Sequence, residues 1–414
     1  MMSILIEQLI NITDAIFLGH VGEIELGASA LAGIWYLAIY MLGFGFSLGL
    51  QVVVARRNGE QHYSETGKTF FQGLFFLSGL AVFLCLLSKL FSPIILSRLI
   101  ASAEVYHAVI DYLDGRIWGL LFSFPFLALR SFLVGITHTK ALNVAALTAV
   151  LVNISGNWLL IFHWDMGIAG AAIASSFAEA CSLAVLAIHV LRKMDKRLYG
   201  LSWSFDKGVL LHVFRVSVWS MFHSFIGVAP WFLFFVAIEH LGELQLAVAN
   251  ILRSISTLFF VIVNSFAATT GSLVSNLIGA DERGQVFPLC NRVIRLGYAI
   301  GFPLIALALI FHQSVIDVYT DNPVIVQTSW LPFVVMLLNY VFALPGYVYM
   351  NAVTGTGATR TAFILQATTI AAYLLYLWGL SHCDVPLAVY WTVEYLFVIG
   401  LGVQSVIYLK HKHY

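Results

Sequence analysis

The chain has 414 residues, of which 60% are hydrophobic and only 10% charged, with 21 Lys and Arg balancing 21 Asp and Glu. A soluble globular chain carries about 25% charged residues, so this composition excludes one, and a formal net charge of +0 leaves no basic surface for nucleic acid. What remains is an all-α polytopic membrane protein whose main solvent is lipid.

About 20 apolar residues cross a bilayer. Twelve such runs are predicted, at 2 to 19, 29 to 55, 67 to 90, 107 to 135, 139 to 162, 168 to 191, 211 to 238, 246 to 277, 287 to 311, 325 to 352, 358 to 380 and 386 to 408. The first run has no basic leader and no small-residue cleavage site, so it is read as a span and not as a signal peptide. It is also polar on one side. At about 100° per residue, Glu7 and Asp14 fall on one face nearly two turns apart, with Asn11 between them. A carboxylate at membrane depth costs a few kcal/mol unless it faces protein or water, which marks this face as a functional candidate. The alternative is a stripe that only bonds helices together.

Further along the chain, Asn153 and Asn157 share a face of the fifth span at i, i+4, and Ser175 and Glu179 repeat that spacing on the sixth. On the fourth span, Asp111, Asp114 and Arg116 either line the cleft or, as the favoured reading, form a salt-bridged or solvated cluster at the outer mouth. Pro125, Pro230 and Pro345 are expected to kink their helices, as membrane spans tolerate. Glu394 on the twelfth span is the one intramembrane acid of the second half, either lining a cleft or packing between helices. Cys85, Cys181, Cys290 and Cys383 are scattered without a CxxC pair and suit small apolar residues better than a metal site or a disulfide.

An even number of spans puts both termini on one side. Arg56, Arg57, Lys68, Lys140, Arg192, Lys193, Lys196, Arg197, Arg283, Arg360, Lys410 and Lys412 fall on that side, while the opposite loops carry mainly acids, so both termini are expected in the cytoplasm. The longest polar connector, 192 to 208, divides the chain into bundles at 1 to 191 and 209 to 414. Identities recur at one offset: His20 and His240, Gly22 and Gly242, Gly59 and Gly279, Pro125 and Pro345, Gly135 and Gly355, Thr139 and Thr359, and Trp158 and Trp378 all lie 220 apart. A constant offset over so many spans predicts a parallel internal repeat of two six-helix bundles, an architecture of transporters. A membrane-embedded enzyme would need clustered catalytic residues near a membrane surface, and none is found.

The run TDAIFLGHVGEIELGASALAGI, the SFPF and GITHTK segments around Gly135, NVAALTAVLVNISGNWLLIF and MGIAGAAIASS together resemble the multidrug and toxic compound extrusion (MATE) transporters, over essentially the whole chain. The resemblance implies a MATE-like fold and a secondary antiporter, not an enzyme. It would export small amphipathic drugs or toxic compounds by alternating access, in exchange for Na⁺ or H⁺ and with no cofactor. It also implies a monomer in a bacterial inner membrane. The coupling site carried over from the family comprises Asp14, Asn153, Asn157 and Ser175, which would hold Na⁺ if that is the ion, with Glu179 as a second carboxylate. Glu7, Asn11 and Glu394 are candidate cleft-lining residues. The chain departs from the family at Asn157, where one branch has Asp, and at Gly227 and Ala343, near which another branch places acids on the seventh and tenth spans. Phe234 stands at the repeat position of Asp14, so ion handling is expected in the first half. A flippase for lipid-linked oligosaccharides shares the superfamily and is the runner-up reading; a membrane-embedded enzyme is the third.

Overall fold

The computed structural model describes residues 13–14, 17–18, 21–100, 102–227, 229–239, 241–319, 322–412 and 414. Glu7, Asn11, His20, His240 and most of the first predicted span lie outside the described residues. Within them, eleven helices are long and apolar enough to cross a membrane, at the places of the second to twelfth predicted spans. Such runs become helices because lipid offers no partner for backbone N–H and C=O groups, and a helix satisfies them within one segment.

The second and third spans are α1 (Glu23–Gly59) and α2 (Tyr63–Leu99). The fourth comprises α3 (Ala103–Arg116), a 3₁₀ turn at Ile117–Gly119, and α4 (Leu120–Gly135). The fifth is α5 (Lys140–Asn157), closed by a π turn at Trp158–His163, and the sixth is α6 (Gly167–Lys193). The seventh expected span is broken in two, α7 (Lys207–Ile226) and α8 (Ala229–Glu239). The break comes at the Gly227 turn, and Pro230 sits in the first turn of α8, where its missing N–H and fixed φ cost little. Pro125 and Pro345, by contrast, lie inside continuous helices. The remaining elements are α9 (Glu243–Gly279), α10 (Val286–Ile310), a short α11 (His312–Asp317), α12 (Pro323–Gly355), α13 (Thr359–Ser381), α14 (Leu387–Tyr390) and α15 (Thr392–His411).

The described residues form two compact units, one ending at Met221 and the other running from Phe222 to Tyr414. The 220-residue offset recurs in their secondary structure. Helices α1 and α9 start and stop at matching positions and are both 37 residues long. Left-handed backbone recurs at Gln61 (φ 59) and Asp281 (φ 59), and again at Thr137 (φ 63) and Gly357 (φ 88).

Each unit has its own apolar core. In the first unit, one cluster is built on Phe46, Leu50, Phe124 and Phe132. A second collects Leu18 and Val109 with Ala28, Ala32, Ala171 and Ala172, alanines that let helices approach closely. The second unit packs around Phe234, Phe333, Tyr340, Tyr373 and Trp391. Large apolar side chains also face outward, among them Leu86, Leu90, Trp158, Leu375 and Trp378, as lipid contact demands.

The polar connector after α6 is tied to α2. The Gly67 N–H donates to the Tyr199 carbonyl at 2.9 Å. The buried Gln72 amide donates to the Ser204 carbonyl at 2.6 Å and accepts from the Asp206 N–H at 3.1 Å. Gln72→Ala strands two backbone groups, a loss of about 1 to 3 kcal/mol. It is therefore expected to speed tryptic cleavage after the exposed Lys196 and Arg197 by about tenfold, measured by limited proteolysis of protein in detergent.

Candidate functional site

Four of the residues singled out in the sequence converge in the first unit. The Asp14 carboxylate accepts two amide hydrogens on Oδ1, from Asn153 Nδ2 at 2.9 Å and from Asn157 Nδ2 at 2.6 Å, and the Ser175 hydroxyl on Oδ2 at 2.7 Å. Asn153 Nδ2 also lies 3.0 Å from Ser175 Oγ, and Asn153 Oδ1 accepts from Thr13 Oγ1 at 3.2 Å. Asn153 and Asn157 are fully buried and Ser175 nearly so. All the donors are neutral, so the carboxylate is hydrogen-bonded but not charge-compensated by them.

Local sequence explains the convergence. Asn153 and Asn157 stand one turn apart on α5, and α6 opens with the small residues Gly167, Ala169, Gly170, Ala171 and Ala172. A Cβ on Gly156 would lie 3.1 Å from the Ala174 methyl, and one on Gly170 would lie 3.0 Å from the Leu160 backbone. The absence of side chains at both glycines brings α5 and α6 close enough for Asn153 and Ser175 to share a hydrogen bond. The π turn begins directly after Asn157, where the Trp164 N–H reaches back to the Leu159 carbonyl.

Glu179, one turn beyond Ser175, is engaged elsewhere. Arg116 Nη2 donates to its Oε1 at 2.6 Å, and the Tyr36 hydroxyl lies 3.3 Å from both carboxylate oxygens. The Arg116 guanidinium lies 3.9 Å from the centroid of the Tyr36 ring, a cation–π contact. The expected outer-mouth cluster is thus divided. Asp114 pairs with Lys89 at 2.6 Å, and both it and Asp111 are exposed, but the Arg116 side chain is only 15% exposed and turns inward to the acid of α6. Arg116 sits in the last turn of α3, five residues past Asp111, and so points away from it around the helix.

In the second unit the repeat positions of Asp14, Asn153 and Asn157 are Phe234, Tyr373 and Leu377, all buried. The Tyr373 hydroxyl donates to Glu394 Oε1 at 3.1 Å. Glu394 therefore does enter the interior of its own bundle. Ala343 is buried on α12, and Gly227 forms the break between α7 and α8. No group of three or more His, Cys, Asp or Glu able to hold a metal ion occurs among the described residues.

The MatE family model matches the chain twice, at residues 1–159 and 220–377, once on each copy of the repeat. The chain belongs to the MatE family. It is a membrane transporter and not an enzyme. Curated relatives of this MatE chain include a probable multidrug resistance protein NorM from Photorhabdus laumondii, 26% identical over 80% of this chain and 74% of that protein. NorM of Vibrio cholerae is 23% identical over 76% of this chain and 70% of its own. Among solved structures, an outward-facing multidrug resistance MATE transporter of the MOP superfamily aligns with a TM-score of 0.90 at 18% identity, covering 99% of this chain and 93% of that one. A variant of the Vibrio cholerae MATE transporter VcmN aligns with a TM-score of 0.90 at 15% identity, covering 99% and 94%. These matches establish the MATE fold of two six-helix bundles.

Sequence reasoning missed two side chains around the MatE site, Thr13 and Tyr36, and for Arg116 it favoured the outer mouth over the interior. Thr13 was adjacent to the recognised acid. Tyr36 stood at the head of an i, i+4 aromatic row with Tyr40 and Phe44, whose rings stack at 6.3 Å spacings, but an aromatic row in an apolar helix looks the same whether it faces lipid or a partner.

Proposed function

We propose that the protein is a cation-coupled antiporter that exports amphipathic compounds, with the Asp14 cluster as the exchange site. The observation that carries this reading is one carboxylate held by three neutral donors from two other spans. A carboxylate in that setting takes up a proton, or binds Na⁺ once the two amides turn their oxygens inward. Asn157 Oδ1, buried and without a hydrogen-bond partner, is an oxygen available for that turn. Either event changes the charge of the bundle interior by one unit, which is what couples an ion gradient to a conformational equilibrium. The names of the NorM relatives support cargo of the multidrug type. We further place the protein in a bacterial inner membrane, as a monomer with both termini in the cytoplasm, the basic run at 192 to 197 on that side, and residues 192 to 208 joining bundles at 1 to 191 and 209 to 414.

Purified protein in liposomes tests the reading. Dye efflux is expected under an imposed Na⁺ or proton gradient and to stop when that gradient is collapsed by an ionophore. Efflux indifferent to both gradients, or translocation of a lipid-linked sugar in place of dye, overturns it.

A further inference from the structure

The second unit holds a cavity of about 60 Å³ that the exchange site does not use. Its wall combines Glu394 with the rings of Trp231, Phe259, Phe260, Tyr347 and Trp391. Glu394 is 7% exposed, lies in a membrane span, and among the described residues has Tyr373 as its hydrogen-bond donor and no Lys, Arg or His as an ion-pair partner. Two further polar atoms in the wall are buried without hydrogen-bond partners: Asn339 Oδ1 and Trp391 Nε1. An apolar core would be expected to avoid all three groups. A buried carboxylate without a counter-charge costs several kcal/mol, and each unpaired polar atom about 1 to 3 kcal/mol.

The groups agree on one kind of occupant. A carboxylate among ring faces attracts a positive charge twice, by ion pairing and through the ring quadrupoles. Phe260 and Tyr347 meet edge to face at 5.4 Å, and Trp231 and Trp391 at 6.3 Å, so the rings of the wall are turned in different directions. A hard metal ion prefers a shell of oxygens, and this wall is mostly carbon. The volume suits a compact head group and excludes a fused-ring dye. A hydroxyl or amine substituent on that head group would accept from Trp391 Nε1 and donate to Asn339 Oδ1, satisfying both atoms.

We propose that this cavity is a subsite of the second unit for an organic ammonium head group, with Glu394 as its counter-ion. The subsite rests on the reading of the cargo as an amphipathic cation. It is tested by binding alone, so a failure of ion-coupled efflux and a failure of this subsite are separate results.

The test is equilibrium dialysis of radiolabelled choline against the full chain in lipid nanodiscs, with no ion gradient. Wild-type protein is expected to bind choline saturably, and the neutral carbon isostere of choline, dimethylbutanol, to compete poorly. Glu394→Gln is expected to weaken binding by about tenfold or more, and Tyr347→Leu by about threefold to tenfold, the range of a desolvated cation–π contact. Trp391→Phe keeps an aromatic ring, though a smaller one, but loses the N–H, and guards against a misfolded Glu394 variant; it is expected to weaken choline more than tetramethylammonium. No saturable binding to wild type, equal competition by dimethylbutanol, or unchanged binding to Glu394→Gln overturns the proposal.

Discussion

Asp14→Asn is expected to reduce gradient-driven efflux to the background of empty vesicles while the protein still inserts and elutes as a single species. The substitution is nearly isosteric. Its Oδ1 can accept from Asn153 and Asn157 as before, and its Nδ2 can donate to the Ser175 hydroxyl, which accepts as readily as it donates. Packing is therefore preserved to within about 1 to 2 kcal/mol, the difference between charge-assisted and neutral hydrogen bonds. What disappears is the charge, and with it any uptake of a proton or cation. Asn153→Ala and Asn157→Ala leave the charge but remove one amide each, and are expected to weaken cation binding by about tenfold, or 1.4 kcal/mol. Glu394→Gln serves as the counter-experiment, read by Na⁺ or proton binding and not by efflux, because its acid belongs to the other unit and the Asp14 cluster is expected to bind its ion as before while cargo affinity falls. Loss of ion binding in Glu394→Gln with ion binding retained in Asp14→Asn would reverse the assignment.

Arg116→Met should damage stability more than any other single change considered. Breaking a buried pair by removing one member leaves an uncompensated charge, worth about 3 to 5 kcal/mol, and here the abandoned Glu179 side chain is only 22% exposed. In a unit of this size that lowers the apparent Tm by roughly 10 °C. The double variant Arg116→Met, Glu179→Leu is expected to recover most of the loss, since an apolar pair of similar volume often matches a buried ion pair. Thermal melts followed by fluorescence-detected size exclusion read both results. A single variant that melts with the wild type would mean that Glu179 is compensated from another direction.

The fold was largely legible because lipid simplifies the code: each apolar run of membrane length has to be a helix, and the 220-residue spacing needed only identities such as Gly59 with Gly279 and Thr139 with Thr359. The Asp14 cluster was legible for the same reason, since Asp14, Asn153, Asn157 and Ser175 are conspicuous where polar atoms are costly. Partner choice was not legible. Nothing in the spacing of Ser175 and Glu179 says that the first bonds to Asp14 while the second turns to Arg116, because that depends on which faces of α3 and α6 meet. The break at Gly227 was hidden behind Pro230, a stronger local signal three residues further on, and hydropathy across 211 to 238 does not register it. Glu394 could be placed in the membrane from sequence, but the rings around it come from several spans and become neighbours only on packing.

The paired left-handed turns have a consequence for how such a chain can change over generations. Gln61 and Asp281 adopt the same backbone with different side chains, as do Thr137 and Gly357, so what descended intact from the duplication is the length of each helix and the geometry of each reversal. Because the spacing stays in frame from α1 to α13, an unequal crossover between the two gene halves at any of these turns would splice one complete reversal onto another without shifting a helix by a residue. The chemistry of either half can therefore be overwritten from the other, or left to drift, as it has at Phe234 opposite Asp14, while the scaffold is inherited as a unit.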